Sequence, residues 1–341
     1  MKGVSISKVY TFVLSAIQEV AMLELENEKK EAEPVIKVIG VGGAGGNIIN
    51  RMIEANLKKV EFIAINTDVR ELYKSNASEK ILIGESLVRG LRTGCNPQIG
   101  YHSAYENPDI IKAVVEGADI VFITAGLGGG TGTGASPVIA ELARKTGALI
   151  VAVMTEPFDF EGTVRRFQAE IGIKELKNHV DALIVIPNQK LIDTIDKNTS
   201  ITEAFNMSND MVRHAIQSIT DLITETGYMV IDINDVKTVM SDVGKVCMGI
   251  GTGNGENRAI KAVEKAMSNP LLEEITIHGA KGLIINITGN KDMGIHEVNE
   301  AMSLFHSSIG PEASVIWGMV VDESLGDEIK FTFFATGLDV N

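Results

Sequence analysis

The stretch Ala125–Gly134, AGLGGGTGTG, constrains this chain more than any other ten residues of it. Six of the ten are glycine, and they join an apolar, β-branched run, Asp119–Thr124, to a segment with helical periodicity. Glycine gives up more backbone entropy on folding than any other residue, so such a concentration between strand and helix needs a physical reason. The reason is a backbone that wraps an anion. Successive N–H groups at a helix N-terminus, with the hydroxyls of Thr131 and Thr133, suit a di- or triphosphate. No Gly-Lys-Ser/Thr follows, so the loop is not a Walker A element.

A second glycine loop lies upstream. Gly40-Val41-Gly42-Gly43-Ala44-Gly45 ends the run from Val35, opens a helical pattern and satisfies G-x-G-x-x-G. Taken alone it favours a dinucleotide oxidoreductase, with Asp68 after the next strand gripping a ribose. Two phosphate-type loops argue against that, because a dinucleotide-binding half has no use for the second. A purine nucleotide held through its phosphates accounts for both. Asn290-Lys291-Asp292 points toward small GTPases, but it lacks their spacer residue and falls in a region without a phosphate loop.

From Val35 onward, Val35–Val41, Glu61–Asn66, Asp119–Thr124, Ala148–Met154 and Ala182–Pro187 read as buried strands, each followed by a helical pattern. That is the rhythm of an α/β, doubly wound, mainly parallel sheet of Rossmann-like type, whose ligands gather at the carboxyl ends of the strands. Glu203–Thr226 reads as one or two helices and Asp235–Val246 as a bridging helix. Beyond Gly249, strands at Gly282–Thr288, Ala313–Val321 and Ile329–Thr336 alternate with helices at Glu256–Ser268 and Gly294–Ser307, a smaller α+β domain. The expected divisions are an N-terminal helical extension 1–34, a nucleotide domain 35–231, a loop and bridging helix 232–248, and a second domain 249–341.

The extension places Ile6, Val9, Val13, Ile17 and Val20 at helical spacing. Gln18 and Glu19 break the apolar run and no small-residue cleavage site follows, so it is not a secretory signal. Glu19, Glu24 and Glu26 oppose anionic lipid, and docking on protein is expected rather than membrane insertion. A net charge of −14 argues against nucleic acid as a partner. Cys95 and Cys247 are too few for a disulfide framework or metal cluster, and both are expected as packing residues in a reducing cytoplasm.

The order and spacing of the segments carry a resemblance. VIKVIGVGGAGGN, IAINTD, GCNP, FITAGLGGGTGTGASPVIA, PFDFEG, IVIPN, DVKTVM, MGIGTGNGENRA and FATG run from Val35 to Gly337, and together they resemble FtsZ in the tubulin/FtsZ superfamily. The resemblance implies a cytoplasmic GTP/GDP-binding protein of cell division that polymerises head-to-tail with itself. It implies that Gly43, Ala44, Gly45, Gly46 and Asn47 form the first nucleotide loop, and that Gly130, Thr131 and Gly132 lie in the phosphate loop. Glu161 and Arg165, four residues apart and so on one helical face, match positions at the ribose and phosphate edges. Asn188 matches a reader of the guanine edge, with Phe205 stacking on the ring. Read alone, Phe205 would be core and Glu161 with Arg165 a surface ion pair. Asn209 stands where the family carries an Asp that pairs with guanine; its amide oxygen still accepts, while its NH₂ must find another partner.

The same resemblance assigns catalysis to Asp232 and Asp235, on a loop that one subunit presents to the nucleotide of the next. The second domain would then activate the GTPase through assembly, and Mg²⁺ would be held mainly by the phosphates. Read alone, either aspartate is a helix N-cap. Val230 stands where the family has Asn, so slowed turnover is expected, and a GTP-binding filament with little or no hydrolysis is the alternative. Proteins of the resembled family usually continue through a linker into a short peptide that recruits division adaptor proteins, and this sequence ends at Asn341 without that tail.

Overall fold

The computed structural model describes residues 33–224, 231–241, 243–269 and 277–338. The extension's helical stripe and Val230 lie outside the described residues. Seven strands run parallel: β1 (Ile36–Val41), β2 (Glu61–Asn66), β3 (Glu79–Leu82), β4 (Ile120–Gly126), β5 (Leu149–Glu156), β6 (Ala182–Pro187) and β7 (Gly244–Gly253), in the order β3-β2-β1-β4-β5-β6-β7. β7 then pairs antiparallel with β10 (Ile329–Thr336), which pairs antiparallel with β8 (Gly282–Gly289), and β9 (Ser314–Val321) lies parallel to β8 at the edge.

The central strands are apolar on both faces, as a parallel sheet with helices on each side requires. Ile36 and Val38 of β1 enter one core with Ile120 and Phe122 of β4, while Ile39 and Val41 enter the other with Val121 and Ile123. α1 (Gly42–Glu54) covers the first core. α2 (Val69–Lys74) follows β2. α3 (Pro97–Tyr105), α4 (Pro108–Val115), α5 (Thr131–Arg144) and α6 (Thr163–Leu176) cover the second. α7 (Ile201–Thr224) is a single helix of 24 residues packed on the first core by Val212, Ala215, Ile216, Ile219, Leu222 and Ile223, an apolar stripe at helical spacing.

α7 also reaches the second sheet. Asn286 on β8 donates its amide to the Ser218 carbonyl at 3.0 Å, and Ser218 and Thr332 hydroxyls meet at 3.4 Å. Ile284 and Phe334 enter the same core as α1 and α7. Past α8 (Ile233–Met240), α9 (Arg258–Met267) and α10 (Ile295–His306) cover the far face of the second sheet around Phe305, Phe331 and Phe333.

Two sequence expectations change here. The helix expected over Asp235–Val246 stops at Met240, Ser241 is extended, and Gly244 at φ +70° admits the chain to β7. Residues 244–246 pair with Ala182–Ile184 of β6, while Cys247–Gly253 pair with β10, so one strand is shared by both parts of the sheet. The bond partners on either side, invisible in sequence, win over the helical periodicity. β3 was not expected because Glu79-Lys80-Ile81-Leu82 is a short, half-charged edge strand. Among the described residues no helix is long and apolar enough to cross a membrane.

His214, on α7, is held neutral. Burial, then the charges of Arg213 and Lys330, hold its pKa down to about 3, and its Nε2 faces the Arg213 guanidinium. The unfolded chain takes up this proton near the ordinary 6.5, whereas the folded chain refuses it down to about 3. The stability contribution is therefore complete above pH 6.5 and declines as pH falls toward 3. His214→Gln should flatten the loss of urea-unfolding stability below pH 6.5; an unchanged slope would refute the buried neutral imidazole.

Candidate nucleotide-binding site

The carboxyl ends of β1, β4, β5 and β6 open into a cleft of about 410 Å³. Two helices start there. α1 begins at Gly42, whose φ of +73° turns the chain out of β1, and α5 begins at Thr131 after the glycine loop. The two N-termini nearly touch: a Cβ on Gly42 would stand 3.1 Å from the Gly132 amide nitrogen. On the other side a Cβ on Gly130 would stand 1.9 Å from Thr93 Oγ1. Side chains are thus excluded, and unpaired N–H groups from two helix ends share one space. Each end carries roughly half a positive charge, so the arrangement attracts polyanions.

Gly43, Ala44, Asn47, Gly130, Thr131, Gly132, Glu161, Arg165, Asn188, Phe205 and Asn209 all line this cleft. Gly45 and Gly46 do not. Gly45 is a packing residue, since a Cβ there would come 2.6 Å from the Thr124 carbonyl oxygen of β4. The threonine hydroxyls expected on the phosphates are engaged elsewhere. Thr133 Oγ1 accepts from the Gly128 amide at 2.9 Å and so closes the loop, and Thr133 is not a cleft-lining residue. Thr131 Oγ1 lies 2.9 Å from Thr67 Oγ1, a bond between β2's end and α5 that leaves hydroxyl capacity for a ligand.

At the other end sit the residues matched to the base. Asn188 is buried directly after β6, and its amide oxygen accepts from the Ser208 hydroxyl. Its NH₂ is thereby aimed to donate. Phe205 is 37% exposed on the first turns of α7, steadied edge-on by Phe158 at a centroid distance of 5.2 Å. Glu161 caps the turn before α6 by accepting from the Phe158 amide at 3.0 Å, and its other oxygen pairs with Arg165. The ion pair therefore forms and lines the cleft as well.

Asp232 and Asp235 are not in this cleft. Asp232 is the N-cap of α8, accepting from the Asn234 amide at 2.7 Å, and both carboxylates are exposed. Asp235 has no side-chain partner among the described residues.

Several cleft residues escaped the sequence reading: Asn66, Glu71, Arg92, Thr93 and Ser208. Arg92 and Thr93 sit before α3, whose Asn96-Pro97 start is a cap signature marking a loop at a strand's carboxyl end. Asp68, a ribose grip only in the rejected dinucleotide reading, is buried under Arg70 and Arg92 and caps α2 through the Arg70 amide. Those guanidinium contacts, led by Arg70, hold its pKa down to about 2. Cys95 was expected to be packing; it is exposed at φ +59° and lines the cleft. Only Cys247 packs, and burial pushes its thiol up to about 11.

Fold and cleft define an α/β nucleotide-binding protein with two glycine-built helix N-termini over one pocket. Residues 35–196 match the Tubulin/FtsZ family GTPase domain, and residues 244–339 match the FtsZ family C-terminal domain. The empty FtsZ dimer of M. jannaschii is similar at 41% identity and a TM-score of 0.87, over 93% of this chain and 92% of that one. GDP-bound CetZ1 from Haloferax volcanii is similar in fold at 20% identity and TM-score 0.77, over 89% and 94%. The GTPγS-bound protofilament of CetZ2 gives 20% and 0.74, over 89% and 93%. The chain belongs to the FtsZ family of the tubulin/FtsZ superfamily. Members of this superfamily are GTPases that bind GTP or GDP.

The two thiols offer a direct check. A thiol reagent at neutral pH should label Cys95 and spare Cys247 in the folded protein, and GTP or GDP should slow the labelling. A Cys95 rate indifferent to both nucleotides would mean that they bind away from the cleft.

Proposed function

We propose that this chain binds GTP in the cleft, polymerises head-to-tail with itself, and hydrolyses GTP at the subunit interface as a cytoplasmic filament of the division site. One observation carries the reading. Among the described residues the carboxylates that line the cleft, Asp68, Glu71 and Glu161, are all held by guanidinium groups, whereas the exposed Asp235 lies outside it. A carboxylate free to orient or deprotonate water must then come from another subunit.

The base end supports guanine. With its oxygen on Ser208, Asn188 donates to the 6-oxygen and N7 of guanine, while adenine would present a donor to that donor. The Asn209 carbonyl accepts from the ring N1–H and the exocyclic amine, and Phe205 stacks. At the phosphate end the N–H groups of Gly43, Ala44 and Gly130–Gly132, with the Asn47 side chain, fit a triphosphate. Mg²⁺, carried mainly by the phosphates, would offset their charge there. Asp232 keeps one oxygen on its cap and offers the other, and Asp235 offers both. Val230, placed beside these aspartates in sequence, favours slow turnover; a GTP-binding filament with little hydrolysis is the second reading. Division adaptor proteins are the further partners.

GTP should displace a fluorescent guanine nucleotide far better than ATP, and equal displacement would remove the base assignment. Asn209→Leu should weaken GTP about tenfold by stranding base donors. Asp235→Ala should nearly abolish phosphate release and leave nucleotide affinity and thermal stability unchanged. Asp232→Ala should also cost about 1 kcal/mol of stability as a lost cap. Turnover per subunit should rise with protein concentration; a flat dependence would sink the shared site.

A further inference from the structure

We infer that Arg92 is a specificity-determining residue that makes the cleft prefer a nucleoside triphosphate over the diphosphate, by moving its guanidinium from Asp68 and Glu71 to the terminal phosphate. The inference rests on the nucleotide reading above and concerns one side chain of the same site.

Among the described residues the cleft is lined by no lysine, the residue that many phosphate loops carry, and its lining guanidinium groups are those of Arg92 and Arg165. Arg165, on α6, pairs with Glu161 through Nη1 and reaches Cys95 Sγ at 3.9 Å through Nη2. Arg92 stands at the phosphate end. Its neighbour Thr93 lies against Gly130, and Asp68, which it contacts, follows Thr67, the partner of Thr131. Its side chain is 71% exposed, so it hangs at the mouth of the cleft and can swing.

Arg92 is lightly held. Nε donates to Asp68 Oδ2 at 3.2 Å and one Nη2–H to Glu71 Oε1 at 3.1 Å, while Nη1 has no partner among the described residues. Three of its five donors are therefore unspent. Neither carboxylate would be stranded by its departure. Asp68 keeps two side-chain bonds from Arg70, at 3.1 and 3.0 Å, and Glu71 keeps Lys74 at 3.1 Å. The cluster holds three cations, Arg70, Lys74 and Arg92, on two carboxylates, Asp68 and Glu71, an excess of one positive charge at the mouth. That excess, on a planar fork matched to phosphate oxygens, gains most from the added charge of a third phosphate.

The test is competition of GTP and GDP against a fluorescent guanine nucleotide, with wild type, Arg92→Ala and Arg92→Lys. Arg92→Ala should weaken GTP about tenfold and GDP by less than about threefold. Arg92→Lys should recover part of the GTP affinity, since a point charge remains without the fork. Equal weakening of both nucleotides, or no weakening, in a variant that melts at the wild-type temperature overturns the inference. Failure of wild type to bind either nucleotide would instead remove the nucleotide reading, and the inference with it.

Discussion

The structure depends on the approach of two helix N-termini, α1 at Gly42 and α5 at Thr131, to within backbone contact of each other. Aligned N–H groups and two like-signed helix ends repel, and the folded protein keeps that arrangement because both helices are bound into a large apolar framework. α1 is fastened to β4 through Gly45, and α5 is buried along nearly its whole length. The glycines are needed because a Cβ at Gly42 would crowd the Gly132 amide and one at Gly130 would strike Thr93. A polyanion in the cleft then relieves the electrostatic cost of the apo arrangement, which links ligand binding to the stability of the whole sheet.

α7 carries the consequences away from the phosphates. It contributes Phe205, Ser208 and Asn209 to the base end of the cleft and, farther along, the Ser218 contacts to β8 and β10. The cleft and the second sheet thus share one helix, and β7 is a second connection, a continuous strand whose two halves pair with β6 and β10. The exposed carboxylates of Asp232, the cap of α8, and Asp235, in its first turn, come next among the helices of the chain after α7.

Charge in the cleft is arranged by pairing. Asp68 is buried yet anionic because two guanidinium groups cover it, and its low pKa leaves it charged across the physiological range. Glu161 spends one oxygen on a backbone amide and the other on Arg165. These pairs neutralise the acid residues that line the cleft, and Arg92 keeps donors to spare.

The sequence by itself determined five of the seven parallel strands, the two phosphate-type loops and the long helix α7, because each is local: β-branched runs buried on both faces, glycines between a strand and a helix, an amphipathic stripe. The order of its motifs also placed it in a family. Only the tertiary structure decided what each polar group is free to do. Thr133 looked like a phosphate ligand and is spent on Gly128, Asp68 looked like a ribose grip only in the rejected dinucleotide reading and is spent on Arg70 and Arg92, and Cys95 looked like packing and is exposed. The segment from Gly244 read as helix and is a strand, since β6 and β10, distant in sequence, offer it backbone partners on both sides. The physical reason is common to all four. A hydrogen-bonding group has few partners to give, and which of them it takes depends on neighbours that the chain brings together only by folding.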